Sequence, residues 1–414
     1  MKIRKAFKFR LYPNQEQLSL LLQHGGNTRF LWNFFLDINK KEYENNQKFI
    51  FGHQLITSIP NLKQQYPFLS IGIGQSLQQV GRHFDKALKD FLNPNPNIHK
   101  DFPVEKTKKR RDDSFTIPQK FKITKNYVVL PKIGKIKWKQ HQPIKGKVKH
   151  LTISQDGEQW YCSVNCEINI KDKEKKNDNI VGIDVGLKTY ATFSDGSKIE
   201  NPNIIKKHEK KLKRIQRQYS RKKKGSNNKR KFRNTLSKVF RKVRNIRKDF
   251  QHKASSKTIT KYDGVVVENL NIKGMMSNHC LAKSIQSCAW YEFKRQLKYK
   301  CLWNNKYFIE IDRFEPSSKR CSVCGEINDE LTLKDREWIC PNCGSSHDRD
   351  VNASVNIRNC GLNKIGMKRL PWDAREASAS PNGRGTLVET RGCRTSVQCL
   401  SEKQEKECNG VLTL

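Results

Sequence analysis

CSVCGEINDELTLKDREWICPNCGSSHDRDVNAS, residues 321–354, sets a metal knot directly against two aspartates. The cysteines fall as C-x2-C-x15-C-x2-C, and each CxxC turn presents two thiolates to one tetrahedral ion. Cys321, Cys324, Cys340 and Cys343 are therefore expected to hold one structural zinc. Four thiolates fill its coordination and leave no position for water, so its contribution is folding energy and placement. Either the knot is a general clasp, or it positions Asp348 or Asp350 for chemistry.

The wider composition narrows that choice. Lys and Arg number 82 against 40 Asp and Glu, a formal net charge of +42 over 414 residues. A compact fold with that charge repels itself unless a polyanion neutralises it, which makes nucleic acid the leading partner. A membrane role is not expected. No apolar run reaches the roughly 18 residues of a spanning helix, and the opening MKIRKAFKFRLYP has no apolar core of signal-peptide length. The expected location is cytoplasmic or nucleoid-associated. Of the 13 cysteines, the nine outside the knot lack paired spacing, the usage of a reducing compartment. Metal binding by Cys393, Cys399 and Cys408 is not expected.

Along the chain the periodicity changes several times. Residues 1–15 begin with a basic strand, KIRKAFKFRLY, and Pro13 and Asn14 then signal a helix start. Residues 16–105 read as helical, with apolar residues at helical spacing on either side of GGN and again in SLQQVGRHFDKALKDFL. Residues 106–170 turn β-rich, with short strands between KN, PK, QP and DG turns, the pattern of a small barrel or curved sheet. A charged linker (171–179) follows. Residues 180–320 alternate strands and helices as a mixed α/β sheet, the knot spans 321–343, and a final helical piece occupies 344–361. Residues 362–414 lose all periodicity and are expected to be a disordered tail.

Within the α/β region, residues 206–253 carry 22 Lys and Arg against 2 acids, nearly half the net charge. Two apolar stripes broken at GSNN make this a helical hairpin, the second stripe including Val239, Phe240, Val243 and Ile246. Clustering of that density points to nucleic-acid contact rather than a merely solvated face. Arg221, Lys222, Lys223, Lys224, Lys229, Arg230 and Lys231 are the candidate contacts. Gln78, on the SLQQV helix, is a candidate reader of a duplex motif, because an amide can pair with an adenine edge.

Three carboxylates carry the candidate chemistry. Asp184 ends the apolar strand of NIVGIDVG, Glu268 ends that of GVVVENL, and Asp350 opens the helix after the knot. Singly, each has a plain reading as a turn residue, a strand-end charge or an N-cap. Together, acids at the ends of sheet elements in a basic chain can converge on two Mg²⁺ ions, which suit hard oxygen ligands and substrate phosphates.

The order GIDVG (182–186), VVVENL (265–270), four-cysteine knot and HDRDVNASVNI (347–357) resembles the TnpB family. These are transposon-encoded RNA-guided DNA endonucleases with a RuvC-type nuclease, related to compact type V CRISPR effectors. KAFKFRLYPN (5–14), SDG (194–196), SRKKKGS (220–226) and FEPSSKRCSVCG (314–325) carry the same resemblance, over about residues 1–360. It implies a multidomain α+β fold: an N-terminal β-barrel wedge with an inserted helical recognition lobe, then an RNase H-like nuclease domain interrupted by a zinc ribbon. It further implies Asp184, Glu268 and Asp350 as catalytic Mg²⁺ ligands, a guide RNA, and a double-stranded DNA target cut beside a short motif. The third acid is Asp350 rather than Asp348, because it directly precedes x-N-A. Ser354 stands where alanine is more usual. The presence of all three acids argues against a nuclease-dead regulator.

Three other readings compete. GIDVG also opens actin-like ATPases, but no later glycine-rich phosphate loops follow, and a shared fold does not carry chemistry. An RNA-guided binder without cleavage would differ only in Mg²⁺-dependent cutting. A DNA-joining transposase would need a 3′-OH nucleophile or a tyrosine with an HUH motif, and no histidine pair of that kind is present.

Overall fold

The computed structural model describes residues 1–93, 100–107, 113–170, 179–313, 315–332 and 335–366. Most of the expected linker and of the expected tail, with Cys393, Cys399 and Cys408, lies outside the described residues.

Strand β1 (Lys2–Tyr12) buries Ile3, Phe7, Phe9 and Leu11 on one face and turns basic residues outward. Asn14 caps helix α1 (Gln15–Asn46) in a capping box with Gln17, which satisfies orphan N–H groups at the helix start. The helix runs unbroken through Gly25 and Gly26, so GGN is not a boundary. Short helices α2 (Gly52–Thr57) and α3 (Ile59–Gln65), a 3₁₀ turn (Pro67–Ile71) and α4 (Gly74–Leu92) complete this part. Its core is Leu31, Phe35, Leu36, Leu55, Leu69, Phe84 and Leu88.

The chain then returns to the sheet that β1 began. Strands β2 (Ser114–Ile117), β3 (Lys122–Ile123), β4 (Tyr127–Leu130), β5 (Gly134–Lys139), β6 (Lys147–Asp156) and β7 (Gln159–Asn169) join it in the order β2-β6-β7-β1-β5-β4-β3. All pairings are antiparallel. The edge strands β2 and β3 are not paired with each other, so by hydrogen bonding the sheet is open. Trp160, Cys162, Val164 and Cys166 alternate into its core.

A second sheet holds β8 (Ile180–Asp184), β9 (Thr189–Phe193), β10 (Lys198–Glu200), β11 (Gly264–Glu268) and β12 (Tyr307–Ile311), ordered β10-β9-β8-β11-β12. The three strands β8, β11 and β12 are parallel, while β9 and β10 run antiparallel. Helices α5 (Ile204–Ser220) and α6 (Asn227–Lys261) form the basic hairpin, longer at both ends than the 206–253 expected from charge. Phe240 and Ile246, read as part of its apolar stripe, are exposed instead. After α7 (Ile272–Met275), the expected single helical stripe divides at Ala289 (φ 49°) into α8 (His279–Cys288) and α9 (Trp290–Trp303). The knot adds a hairpin of β13 (Glu337–Ile339) and β14 (Ser346–Asp348), and α10 (Arg349–Lys364) ends the described chain. Residues 362–364, expected in the tail, belong to that helix.

Strand periodicity assigns the two faces of the second sheet. Val181, Ile183, Val265 and Val267 pack with Ala254, Ile259, Phe293 and Leu297 of α6 and α9. Ile180, Val266, Ile309 and Ile311 pack with Ile357 and Leu362 of α10. By the same alternation Asp184 and Glu268 belong to the α10 face.

The fit of α10 is unusually close. A Cβ on Gly182 would lie 2.0 Å from the Ser354 carbonyl oxygen, and one on Gly361 would lie 2.3 Å from Val266 Cγ1. Glycine on the strand and glycine on the helix together let the two backbones meet.

Candidate active site and metal knot

Parallel register sets Val267 beside Ile183, which brings the next residues, Glu268 and Asp184, to the same edge of the sheet. This edge is also where the connections diverge, β8 leading outward to β9 and β11 leading the other way to β12. In open α/β sheets that carboxyl-end crevice is the usual place for a ligand. Helix α10 delivers Asp350 in its first turn, over the same face.

Asp184 feels the other two acids. Burial pushes the Asp184 carboxyl up to about 7, and the charges of Glu268 and Asp350 add to that push. Burial also raises Glu268, while the Ser317 hydroxyl donates to its Oε1 and opposes the shift. Arg336 pairs with Asp350 Oδ1 at 3.4 Å. Asp348 is differently placed. Exposed, it caps α10 by accepting from the N–H groups of Asp350 and Val351, and it pairs with Lys198 at 2.7 Å. Partial burial works the other way, but Lys198 and the helix N–H groups hold Asp348 below the usual carboxylate range. The N-cap that the sequence offered to Asp350 belongs to Asp348, which leaves Asp350 for the crevice.

This geometry has a measurable cost when no cation is bound. Between its ordinary value of 3.8 and about 7, folded Asp184 holds a proton that the unfolded chain releases. Stability therefore falls as pH rises through that window. Asp184→Asn should abolish this loss and be more stable than the parent at pH 8 by about 4 kcal/mol, with little difference near pH 4. Urea midpoints of both proteins in Mg²⁺-free, zinc-replete buffer check it, and parallel pH profiles would refute it.

The four cysteine sulfurs lie within 4.8 Å of one another, with Cys321–Cys343 at 3.7 Å and Cys324–Cys340 at 3.6 Å. These separations exceed an S–S bond of about 2.05 Å. They match the edge of a tetrahedron with zinc–sulfur bonds of about 2.3 Å, which is about 3.8 Å, so the donor set fits zinc. His347 Nε2 (3.1 Å from Cys321 Sγ) and Ser345 Oγ (3.0 Å from Cys343 Sγ) surround the sulfurs. Among the described residues no other group of three or more His, Cys, Asp or Glu is gathered that tightly.

Polar side chains tie the knot to the acids. Asn352 of α10 accepts from the Ser322 N–H inside the first CxxC turn and donates to the Arg320 carbonyl. Asn356, one turn on, donates to the carbonyls of Arg320 and Ser317. Ser317 in turn holds Glu268. Sequence reading missed Ser317, Asn352 and Asn356, although all three lie in the stretches quoted for their cysteines and acids.

The basic hairpin is anchored at both sheets. Arg244 pairs with Asp156 and Lys238 with Glu158 at the β6–β7 turn, while Gln251 donates to the Tyr190 hydroxyl of β9 and to the Cys288 and Ala289 carbonyls. Arg221, Lys223, Lys224, Arg230 and Lys231 are exposed at its tip. Lys222 and Lys229 sit over the rings of Phe232 and Tyr219 at 5.2 and 5.1 Å, so they help hold the hairpin together. Gln78 is exposed on α4, well separated in sequence from these cations.

Comparison with known proteins gives this geometry its family. Residues 163–279 match the OrfB_IS605 family, described as "Probable transposase", and residues 290–357 match "Cas12f1-like, TNB domain". Residues 1–48 match an OrfB_IS605 "Helix-turn-helix domain", though here they form β1 and the single helix α1. A Streptomyces pristinaespiralis protein named "Putative RNA-guided DNA endonuclease" is 30% identical, covering 99% of this chain and 98% of its own. "Putative RNA-guided DNA endonuclease InsQ" of Escherichia coli K12 is also 30% identical, over 92% of this chain and 98% of its own. A cryo-EM structure of a Cas12f1–sgRNA–target DNA complex covers 86% of this chain and 99% of its own at 16% identity, with a TM-score of 0.34. The chain belongs to the TnpB family, the OrfB proteins of IS605-type insertion sequences.

Proposed function

We propose that this protein is an RNA-guided DNA endonuclease that hydrolyses phosphodiester bonds of a double-stranded target at the edge formed by Asp184, Glu268 and Asp350. The observation that carries the reading is the gathering of three carboxylates at the carboxyl edge of one sheet, close enough that Glu268 and Asp350 both push on buried Asp184. In a chain of net charge +42, three acids gathered around a buried carboxylate are best explained by divalent cations. The strand order, with helices on both faces, supports an RNase H-like, RuvC-type domain. Two Mg²⁺ ions held there would supply an activated water and stabilisation of the leaving 3′ oxygen. The chain's own part is to fix the three carboxylates, with Ser317 orienting Glu268 and the flush seat of α10 setting Asp350. The closed four-thiolate knot takes a structural zinc and no part in bond cleavage.

The names of relatives aligned over nearly the whole chain support guide RNA and DNA as partners. The exposed hairpin tip suits the RNA or the RNA–DNA heteroduplex, and Gln78 remains the candidate for a contact to the DNA motif. Action on nucleoid DNA in the cytoplasm fits this chemistry.

The test is to purify the chain with its bound RNA, sequence that RNA, and incubate the complex with a matching plasmid. Mg²⁺-dependent cutting at the matched site is expected. A complex that binds without cutting would be the nuclease-inactive binder, and joined strands would make it a transposase.

The hairpin has its own test. Replacing Arg221, Lys223, Lys224 and Arg230 by glutamine should flatten the salt dependence of RNA affinity, each lost phosphate contact removing about 0.7–0.9 from the log–log slope. An unchanged slope would show that the tip is merely solvated.

A further inference from the structure

Asp195, in the SDG run (194–196), accepts hydrogen bonds from the Ser197 N–H and hydroxyl, from Lys261 and from the Tyr262 hydroxyl, the last two at the end of α6. Gly196 adds a φ of 76°, which glycine adopts without strain, and the turn between β9 and β10 is thereby fastened to the helix. Strand β10 is an edge of the second sheet and begins with Lys198. Lys198 pairs with Thr192 of β9, and Thr192 pairs with Asp184 of β8. Directly opposed residues share a face, so Lys198 stands on the α10 face with Asp184, two strand spacings or about 9.5 Å along the same rung. Glu268 lies on the other side of Asp184 at this edge.

The lysine reaches the start of α10. Its Nζ donates to Asp348 Oδ2 at 2.7 Å, while Oδ1 of that aspartate accepts from the N–H groups of Asp350 and Val351. The bond to Asp348 holds Lys198 above the usual lysine range, and the charge of Asp350 adds to the effect, so the ammonium is close enough to feel the third acid. An ammonium has three donors. Asp348 takes one, and the side chain is 37% exposed. An ion pair that exposed contributes little to stability, and a cation in line with metal-binding carboxylates opposes the metal unless it serves the substrate. We propose that Lys198 binds a backbone phosphate of the DNA strand lying along this edge, beside the scissile one, and so fixes which bond is presented to the acids. The proposal rests on the nuclease reading above and adds a strand-positioning contact to it. Lysine suits the task as a compact point charge for phosphate, and Asp348 steadies it while leaving two donors for the strand.

The test uses the full-length RNA-bound protein and guide-matched DNA carrying one neutral methylphosphonate linkage, moved stepwise past the cut. At one linkage beside the scissile bond the neutral group should slow cutting by the parent about tenfold, the effect of losing a charge-assisted hydrogen bond. Lys198→Gln should cut ordinary DNA about tenfold more slowly, spread its cuts over neighbouring bonds and show no further penalty at that linkage. Lys198→Arg, which keeps a cation, should keep the penalty. Asp348→Ala removes the same ion pair but leaves the lysine, so it should keep the penalty as well. An undiminished penalty in Lys198→Gln, or Asp348→Ala behaving like Lys198→Gln, would overturn the contact while leaving the nuclease reading in place. A parent that cuts no matched DNA would overturn both.

Discussion

Asp184→Ala should lower guided DNA cleavage by about three orders of magnitude or more, the loss expected when several kcal/mol of transition-state charge stabilisation disappears. Target binding should stay near that of the parent protein, because the phosphate contacts proposed above fall on the basic hairpin rather than on these acids. Glu268→Ala and Asp350→Ala should behave alike, each removing a proposed oxygen ligand from the same edge. Asp348→Ala is the contrasting variant. It deletes the N-cap of α10 and the pair with Lys198, at a cost of about 1 kcal/mol in stability, and should retain most of the activity. Cleavage of a matched plasmid in Mg²⁺, with binding measured on the same proteins, separates the outcomes. Parent-level cutting by Asp184→Ala would overturn the assignment. An essential Asp348 with a dispensable Asp350 would keep the nuclease and replace its third ligand.

Loss of the zinc knot should have the largest effect on folding. The buried core of the knot consists of Cys321, Leu331, Trp338 and Cys340, too few residues to hold a domain by apolar burial alone. Zinc binding to such sites is worth about 10–16 kcal/mol in apparent free energy, comparable with the whole stability of an ordinary domain at about 5–15 kcal/mol. Cys321→Ser combined with Cys324→Ser should therefore abolish zinc binding, expose residues 315–366 to protease and lower the thermal midpoint. It should also abolish cleavage, since Asn352 and Asn356 anchor α10 to the segment that carries Ser317. Metal analysis and limited proteolysis test this. A double variant that folds fully and cuts at the parent rate, or a parent protein without zinc, would refute it.

Much of this site was legible because its signals are local. The cysteine spacing states its own geometry, and Asp184 and Glu268 each terminate a run of apolar residues that only a buried strand explains. Asp350 was harder, because two aspartates two residues apart both suit a helix start. Their roles separate only when Asp348 is seen to accept the helix N–H groups and to meet Lys198 of β10, a partner 150 positions away. Ser317, Asn352 and Asn356 act through hydrogen bonds between distant segments, which no periodicity records. Helical spacing also misled in two places. Phe240 and Ile246 keep the spacing of a core stripe while facing solvent, and Ala289 breaks an otherwise continuous pattern with a left-handed residue.

The contact between Gly182 and the backbone of α10 bears on how this centre could ever be retuned. Where a helix rests on side chains, a longer or shorter one shifts it by fractions of an ångström, and selection has a graded series to work through. Here the seat is peptide against peptide, with a Cβ on Gly182 falling 2.0 Å from the Ser354 carbonyl oxygen. The strand offers nothing smaller than glycine, and any addition lifts the helix bodily. The separation between the first acid and the third thus behaves like a machinist's gauge, reproduced in each folded copy and closed to adjustment at the seat. If the edge cuts DNA as proposed, variation in preferred ion or cutting rate among related chains has to arise around the rim of the crevice, in residues such as Arg336 and Ser317, while the gauge stays as it is.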